Sequence, residues 1–133
     1  MPVAVLHQNS DVGRLALAIG VREAALRQTE LVVLHALSGA EDEITRVETG
    51  AVESAVRAAL SALAVEAGVR WTVMVGVPDP DTTSTLLTLV EQVRAELLVV
   101  GSRHRSAVGK FLMGQGIQRL LLETSVPVLL VKS

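Results

Sequence analysis

The side chains best suited to chemistry gather between residues 101 and 116. Arg103, His104, Arg105 and Lys110 fall there with no acidic residue before Glu123, so three formal positive charges and a titratable imidazole are offered to an anion. Gly114, Gln115 and Gly116 come next, ahead of Ile117, Leu120, Leu121 and Thr124, whose i, i+3, i+4, i+7 spacing marks one face of a helix. Glycines just before a helix leave its first N–H groups uncovered, and these donors together with the positive end of the helix dipole hold phosphate. The chemistry offered is therefore a phosphate cradle, with backbone N–H groups near Gly101, Ser102 and Gly114 to Gly116 as its donors.

Such a cradle needs rigid elements on either side. Leu97 to Val100 is an apolar run of the kind buried on both faces of a parallel sheet, and Val128 to Val131 repeats the pattern after Pro127 ends the helix. Toward the N-terminus, Val3 to Leu6 is a short apolar strand, followed by a helix that Ser10 or Asp11 can cap. The inward face of that helix is Val12, Leu15, Ala16 and Ile19, with Glu23 and Arg27 paired outside. Leu31 to Leu34 gives the second strand, and a loop is expected from Gly39 to Thr45. The next helix spans about 50 to 67, with Val52, Val56, Ala59, Leu60 and Leu63 inward and Gly68 as a left-handed cap. The run from Val69 to Val75 alternates enough to be an edge strand. A helix capped by Asp79, with Pro80 at its first position, then buries Leu86, Leu89, Val90 and Val93.

Strand and helix thus alternate four times before a final strand. Crossover helices of this kind require a parallel sheet covered on both faces, an α/β doubly wound architecture in three layers. Ligands in such sheets lie beyond the carboxyl ends of the strands where the order reverses, here the ends near Leu6 and Gly101. The chain has 133 residues, which is one domain (1–133) with a single core. Half of it is hydrophobic and a fifth charged, which excludes disorder, and no apolar run is long enough to span a membrane, so no membrane partner is expected. Trp71 and Phe111 are the only large aromatics and the net charge is −2, which argues against nucleic acid. With no cysteine there is neither a disulfide framework nor a cysteine zinc site, and no metal is expected. The N-terminus carries no export signal, and a cytoplasmic location is the expectation.

At its carboxyl-terminal third the sequence resembles the universal stress protein family. Nucleotide-binding members carry, after the fourth strand, a glycine, two residues, a second glycine, nine residues, then glycine followed by serine or threonine. Gly101 and Gly114 match the first and third glycines at the right separation, between the flanks LLVVGSR and QRLLLETSVPVLLVK. The resemblance implies an adenine nucleotide alpha hydrolase-like fold with strand order 3-2-1-4-5 and an adenine nucleotide, ATP or AMP, as ligand. It also implies a homodimer through the last strand, with Val126, Val128, Leu129, Leu130 and Val131 at the dimer edge.

Three positions depart from the pattern. His104 stands at the second glycine, Gln115 at the serine or threonine, and Val3-Ala4-Val5 is followed by Leu6 where family members carry an aspartate that contacts the adenosine. A leucine accepts no hydrogen bond, so a nucleoside placed against Val5 and Leu6 loses an anchor worth about 1 kcal/mol. The candidate nucleotide or phosphate site is accordingly Gly101, Ser102, Arg103, His104, Arg105, Gly114, Gln115 and Gly116, with Val5 and Leu6.

Catalytic signals are absent: no nucleophile elbow and no Walker lysine-serine pair occur, and the acidic residues Glu91, Glu96 and Glu123 read as solvated surface. His7 and His104 both follow strand ends and could converge, whereas His35 reads as a satisfied, half-buried side chain with no carboxylate at ligand spacing. A phosphoacceptor receiver domain needs an acidic pair where this chain has Leu6, His7 and Gln8, and a dinucleotide enzyme needs a G-x-G-x-x-G after the first strand. The expected function is a non-enzymatic stress-response module, homodimeric, with a partly degenerate nucleotide pocket and protein partners. The alternative is a competent ATP-binding relative with slow or no hydrolysis.

Overall fold

The computed structural model describes residues 1–102, 104, 105, 110, 111 and 115–132, with side chains for 1–102 and 116–132. Five strands form the main sheet: β1 (Val3–Leu6), β2 (Leu31–Ala36), β3 (Trp71–Gly76), β4 (Leu97–Ser102) and, after two short strands described below, β7 (Val128–Lys132). Their order is β3-β2-β1-β4-β7 and every neighbouring pair is parallel. This is the 3-2-1-4-5 arrangement expected, with β7 as the fifth strand. Helices α1 (Asp11–Leu26), α2 (Asp42–Ala67), α3 (Thr82–Val93) and α4 (Gln115–Glu123) make the crossovers.

Alternation within the strands builds two cores. Val3, Val5, Leu31, Val33, Leu97 and Val99 face α1 and α2, while Ala4, Leu6, Val32, Leu34, Leu98 and Val100 face α3 and α4. Burial on both faces is why these strands read as unbroken apolar runs, and each fully buried Val or Leu contributes about 1.5–3 kcal/mol.

The helices differ from expectation in instructive places. On α1 the buried stripe is Val12, Ala16, Leu17, Val21 and Ala24, and Leu15 faces solvent. Gly20 lets α1 settle onto the sheet, since a Cβ there would stand 3.0 Å from Leu31 Cδ1. Ser10 is the N-cap, accepting from the Gly13 N–H at 3.1 Å, and the Glu23–Arg27 pair forms at 3.5 Å. Helix α2 begins at Asp42 instead of near Gly50. Its first two turns lie mostly in solvent, so they carry no apolar stripe to read, while Asp42 and Glu43 favour the positive end of the helix. Gly68 caps α2 with φ of 70°, as expected. For α3 the cap is Asp81 rather than Asp79; its carboxylate accepts from Ser84 N–H at 2.8 Å, and Thr83 and Thr85 join Leu89 and Val90 on the buried side.

Strand β3 is an edge, as its alternation suggests, and the Arg57 guanidinium lies 5.2 Å from the centroid of its Trp71. The opposite edge is β7. Val131 is buried and packs with Leu129 on the α1/α2 side, and Val126, Val128 and Leu130 pack on the α3/α4 side. The side chains named for a dimer edge thus serve the core, and what β7 leaves open among the described strands is its outer backbone edge. Among the described residues no helix is long and apolar enough to cross a membrane.

Candidate functional site at the carboxyl ends of β1, β2 and β4

Beyond Leu6 the chain leaves β1 and crosses the top of the sheet. The His7 N–H still donates to Leu34 C=O at 2.9 Å, and Gln8 then turns its side chain toward β4. The Gln8 amide donates to Gly101 C=O at 3.0 Å and accepts from Gly101 N–H at 3.0 Å. It therefore prolongs, with a side chain, a β1–β4 ladder whose backbone register runs from Val3↔Leu97 to Val5↔Val99. A Cβ on Gly101 would stand 2.9 Å from Gln8 Oε1 and 3.0 Å from Val12 C=O, so the first glycine of the motif is required by close approach. One expectation is corrected here: the Gly101 N–H, named as a phosphate donor, already has a partner in Gln8.

Ser102 follows at the end of β4 and is buried. Its hydroxyl is the one buried side-chain oxygen without a hydrogen-bond partner among the described residues, a polar group that gains by meeting a ligand or a water. Val5 and Leu6 are enclosed in the two cores, and Leu6 offers the cleft no acceptor. Gly116, in the first turn of α4, lies against α3: a Cβ there would be 2.9 Å from Thr83 Oγ1. Arg119 fixes that packing by donating to both Asp81 oxygens at 3.0 and 3.1 Å, to Ser84 Oγ at 2.8 Å and to Glu123 at 2.7 Å. Hydrogen bonds from Ser84 first, then Arg119, hold the Asp81 carboxyl below its ordinary range.

The connection after β4 is not wholly a loop. β5 (His104–Arg105) and β6 (Lys110–Phe111) pair antiparallel, with His104 opposite Phe111 and Arg105 opposite Lys110. Arg103 and Gly114 lie outside the described residues, as do the side chains of His104, Arg105, Lys110 and Gln115.

The expected convergence of His7 with His104 lies outside the described side chains. His7 meets His35, with the two Nδ1 atoms 3.2 Å apart. His35 Nε2 lies 2.7 Å from a carboxylate oxygen of Glu48, whose other oxygen accepts from Ser38 Oγ at 2.7 Å and Ser38 N–H at 3.1 Å. His35 is half-buried and satisfied as anticipated, but it does have a carboxylate, carried on the part of α2 that precedes the helix expected from about residue 50. The Ser38 hydroxyl donates to the Glu48 carboxylate. Hydrogen bonds from His35 and then Ser38 pull Glu48 down to about 2. Burial, and then His35, hold the His7 imidazole below its ordinary value.

These shifts fix the sign of a pH dependence. His7 binds its proton less readily folded than unfolded, so its contribution to stability is complete above a pH of about 6.5 and is lost as the pH falls through the folded value. Glu48 adds a loss of the same sign as the pH falls from about 4.5 toward 2. In chelator-treated buffer, the melting temperature of the wild-type chain is expected to fall more between pH 7.5 and 5.5 than that of His7→Asn. Parallel profiles would contradict the assignment.

A five-stranded parallel sheet in this order, flanked by helices, defines the adenine nucleotide alpha hydrolase-like class. The chain belongs to the universal stress protein family, whose model matches residues 1–132. It is 39% identical over 130 residues to a universal stress protein of Mycolicibacterium smegmatis, covering 98% of this chain and 96% of that one. Among solved structures it is similar to a universal stress protein from Archaeoglobus fulgidus, with a TM-score of 0.82 at 25% identity, covering 99% and 98% of the two chains. A structure of the universal stress protein from Archaeoglobus fulgidus in complex with dAMP gives a TM-score of 0.76 at 21% identity, again over 99% and 98%.

Proposed function

We propose that this chain is a non-enzymatic module of the stress response that acts as a homodimer. Its nucleotide or phosphate pocket, at the carboxyl ends of β1 and β4, is partly filled by its own residues. The observation that carries the reading is the double hydrogen bond from the Gln8 amide to Gly101, which occupies the peptide a ligand in this cleft would approach. Leu6 supports it by offering no acceptor to a nucleoside. Among the described strands β7 stands at the edge of the sheet with β4 as its neighbour, which supports pairing with a second copy, since apolar edge strands tend to find partners.

A second reading, a competent ATP- or AMP-binding protein, is favoured by the unpartnered Ser102 hydroxyl at the same strand tip and by the dAMP complex of the Archaeoglobus relative. Nucleotide carried through purification separates the two. Denatured, desalted protein is expected to release far less than one adenine nucleotide per chain, and a full equivalent would establish the second reading. Sedimentation is expected to give a dimer mass, and a monomer at every concentration would remove the β7 pairing.

A further inference from the structure

The His7–His35 pair adjoins Gln8 in sequence but is not used by the proposed function. We propose that His7 Nδ1 and His35 Nδ1 form a two-nitrogen site for a borderline transition-metal cation, Zn2+ or Cu2+, with Glu48 as the outer carboxylate and water completing the coordination.

Three features converge on this site. First, the two Nδ1 atoms are 3.2 Å apart and the ring planes cross at 71°. Two metal–imidazole bonds of about 2.0–2.1 Å, opened to a tetrahedral angle, separate their nitrogens by roughly 3.3–3.4 Å. The observed separation is close to that spacing, and an ion would take the place of the hydrogen bond between the two rings. Second, the Glu48 carboxylate can only accept, so His35 Nε2 donates to it, and in the neutral imidazole the His35 lone pair then lies on Nδ1, toward His7. A carboxylate behind a ligating imidazole fixes its tautomer and raises its basicity, the arrangement that supports histidine ligands in metal sites.

Third, His7 directly follows β1 and His35 lies within β2, two strands locked in register with Leu6 opposite Leu34 and the His7 N–H on Leu34 C=O, so both rings are anchored on the sheet. Without metal, the same geometry is satisfied by one proton on His7 Nδ1 shared with His35 Nδ1. Metal binding moves that proton to His7 Nε2, so both imidazoles stay neutral, no proton is released, and the site gains the two positive charges of the cation, which the Glu48 carboxylate partly offsets. Imidazole nitrogen suits Cu2+ and Zn2+, with Cu2+ the tighter. No group of three or more His, Asp or Glu among the described residues could hold a metal, hence the water ligands.

The test uses the full, tag-free chain stripped with chelator. Cu2+ added at one equivalent is expected to give an electron paramagnetic resonance spectrum split by two imidazole nitrogens, and Zn2+ a saturable calorimetric isotherm with a rise in Tm. His7→Asn and His35→Asn should each abolish the two-nitrogen spectrum, and Glu48→Gln should weaken Zn2+ binding about 10–100-fold. Melting curves of each variant without metal confirm folding, and should His35→Asn fail to fold, His7→Asn and the wild-type isotherm still decide. No saturable binding up to about 1 mM overturns the proposal. So does a spectrum that survives removal of both histidines, since His104 is the only other one in the chain.

Discussion

Gly13→Ala is expected to cost about 3 kcal/mol of folding stability and to lower Tm by about 10 °C. A Cβ on Gly13 would stand 2.0 Å from the Gln8 carbonyl oxygen and 2.7 Å from its carbon, backbone atoms that no rotamer change can move aside. To admit the methyl, the turn between β1 and α1 must shift, and the Ser10 cap, worth about 1 kcal/mol, depends on that turn. So does the position of the Gln8 amide on Gly101. The comparison variant is Gly50→Ala, in an exposed stretch of α2 where nothing lies within 4 Å of the added carbon. There the change should stabilise by about 0.5–1 kcal/mol, because alanine loses less backbone entropy in a helix. Urea unfolding of both variants checks the pair, and a Gly13→Ala midpoint equal to wild type would show that the turn yields more easily than its contacts imply.

Gln8→Gly is expected to act in two directions. Losing two half-buried hydrogen bonds should cost about 1–2 kcal/mol of stability, while the Gly101 N–H and C=O become available to a ligand. One recovered hydrogen bond of roughly 1–1.4 kcal/mol corresponds to about a tenfold gain in affinity for adenosine monophosphate. Competition between an internal amide and a ligand for one peptide is a simple linkage: whatever holds the internal contact must be given up before the ligand binds. Calorimetric titration of AMP into wild type and Gln8→Gly reads that difference. Equal or weaker binding by the variant would mean that Gln8 supports the pocket instead of filling it.

How much of this was legible in the sequence depends on burial. Val3 to Leu6, Leu31 to Leu34 and Leu97 to Val100 are enclosed on both faces, so their apolar runs gave away the parallel sheet and its crossovers. Gly68 betrayed its cap because a left-handed residue favours glycine. The first turns of α2 were hidden for the opposite reason: an exposed helix carries no stripe, and with those turns went Glu48, the carboxylate behind His35. The histidine pair did leave a signal. His7 and His35 each directly follow a leucine that ends an apolar run, and strand order 3-2-1-4-5 makes those strands neighbours, so Leu6 opposite Leu34 brings the two rings together. Gln8 left none, because nothing in a polar residue after a strand says that its side chain will fold back onto a glycine more than ninety residues away.

The proposed pocket is best judged with an adenine nucleotide. Mg-ATP titrated calorimetrically into the wild-type chain, freed of any nucleotide carried from the cell, is expected to bind with a Kd weaker than about 1 mM, since Leu6 offers no acceptor and Gln8 holds Gly101. One-to-one binding with a Kd of about 10 μM would contradict the account, for affinity of that order requires a cleft that the chain has left open.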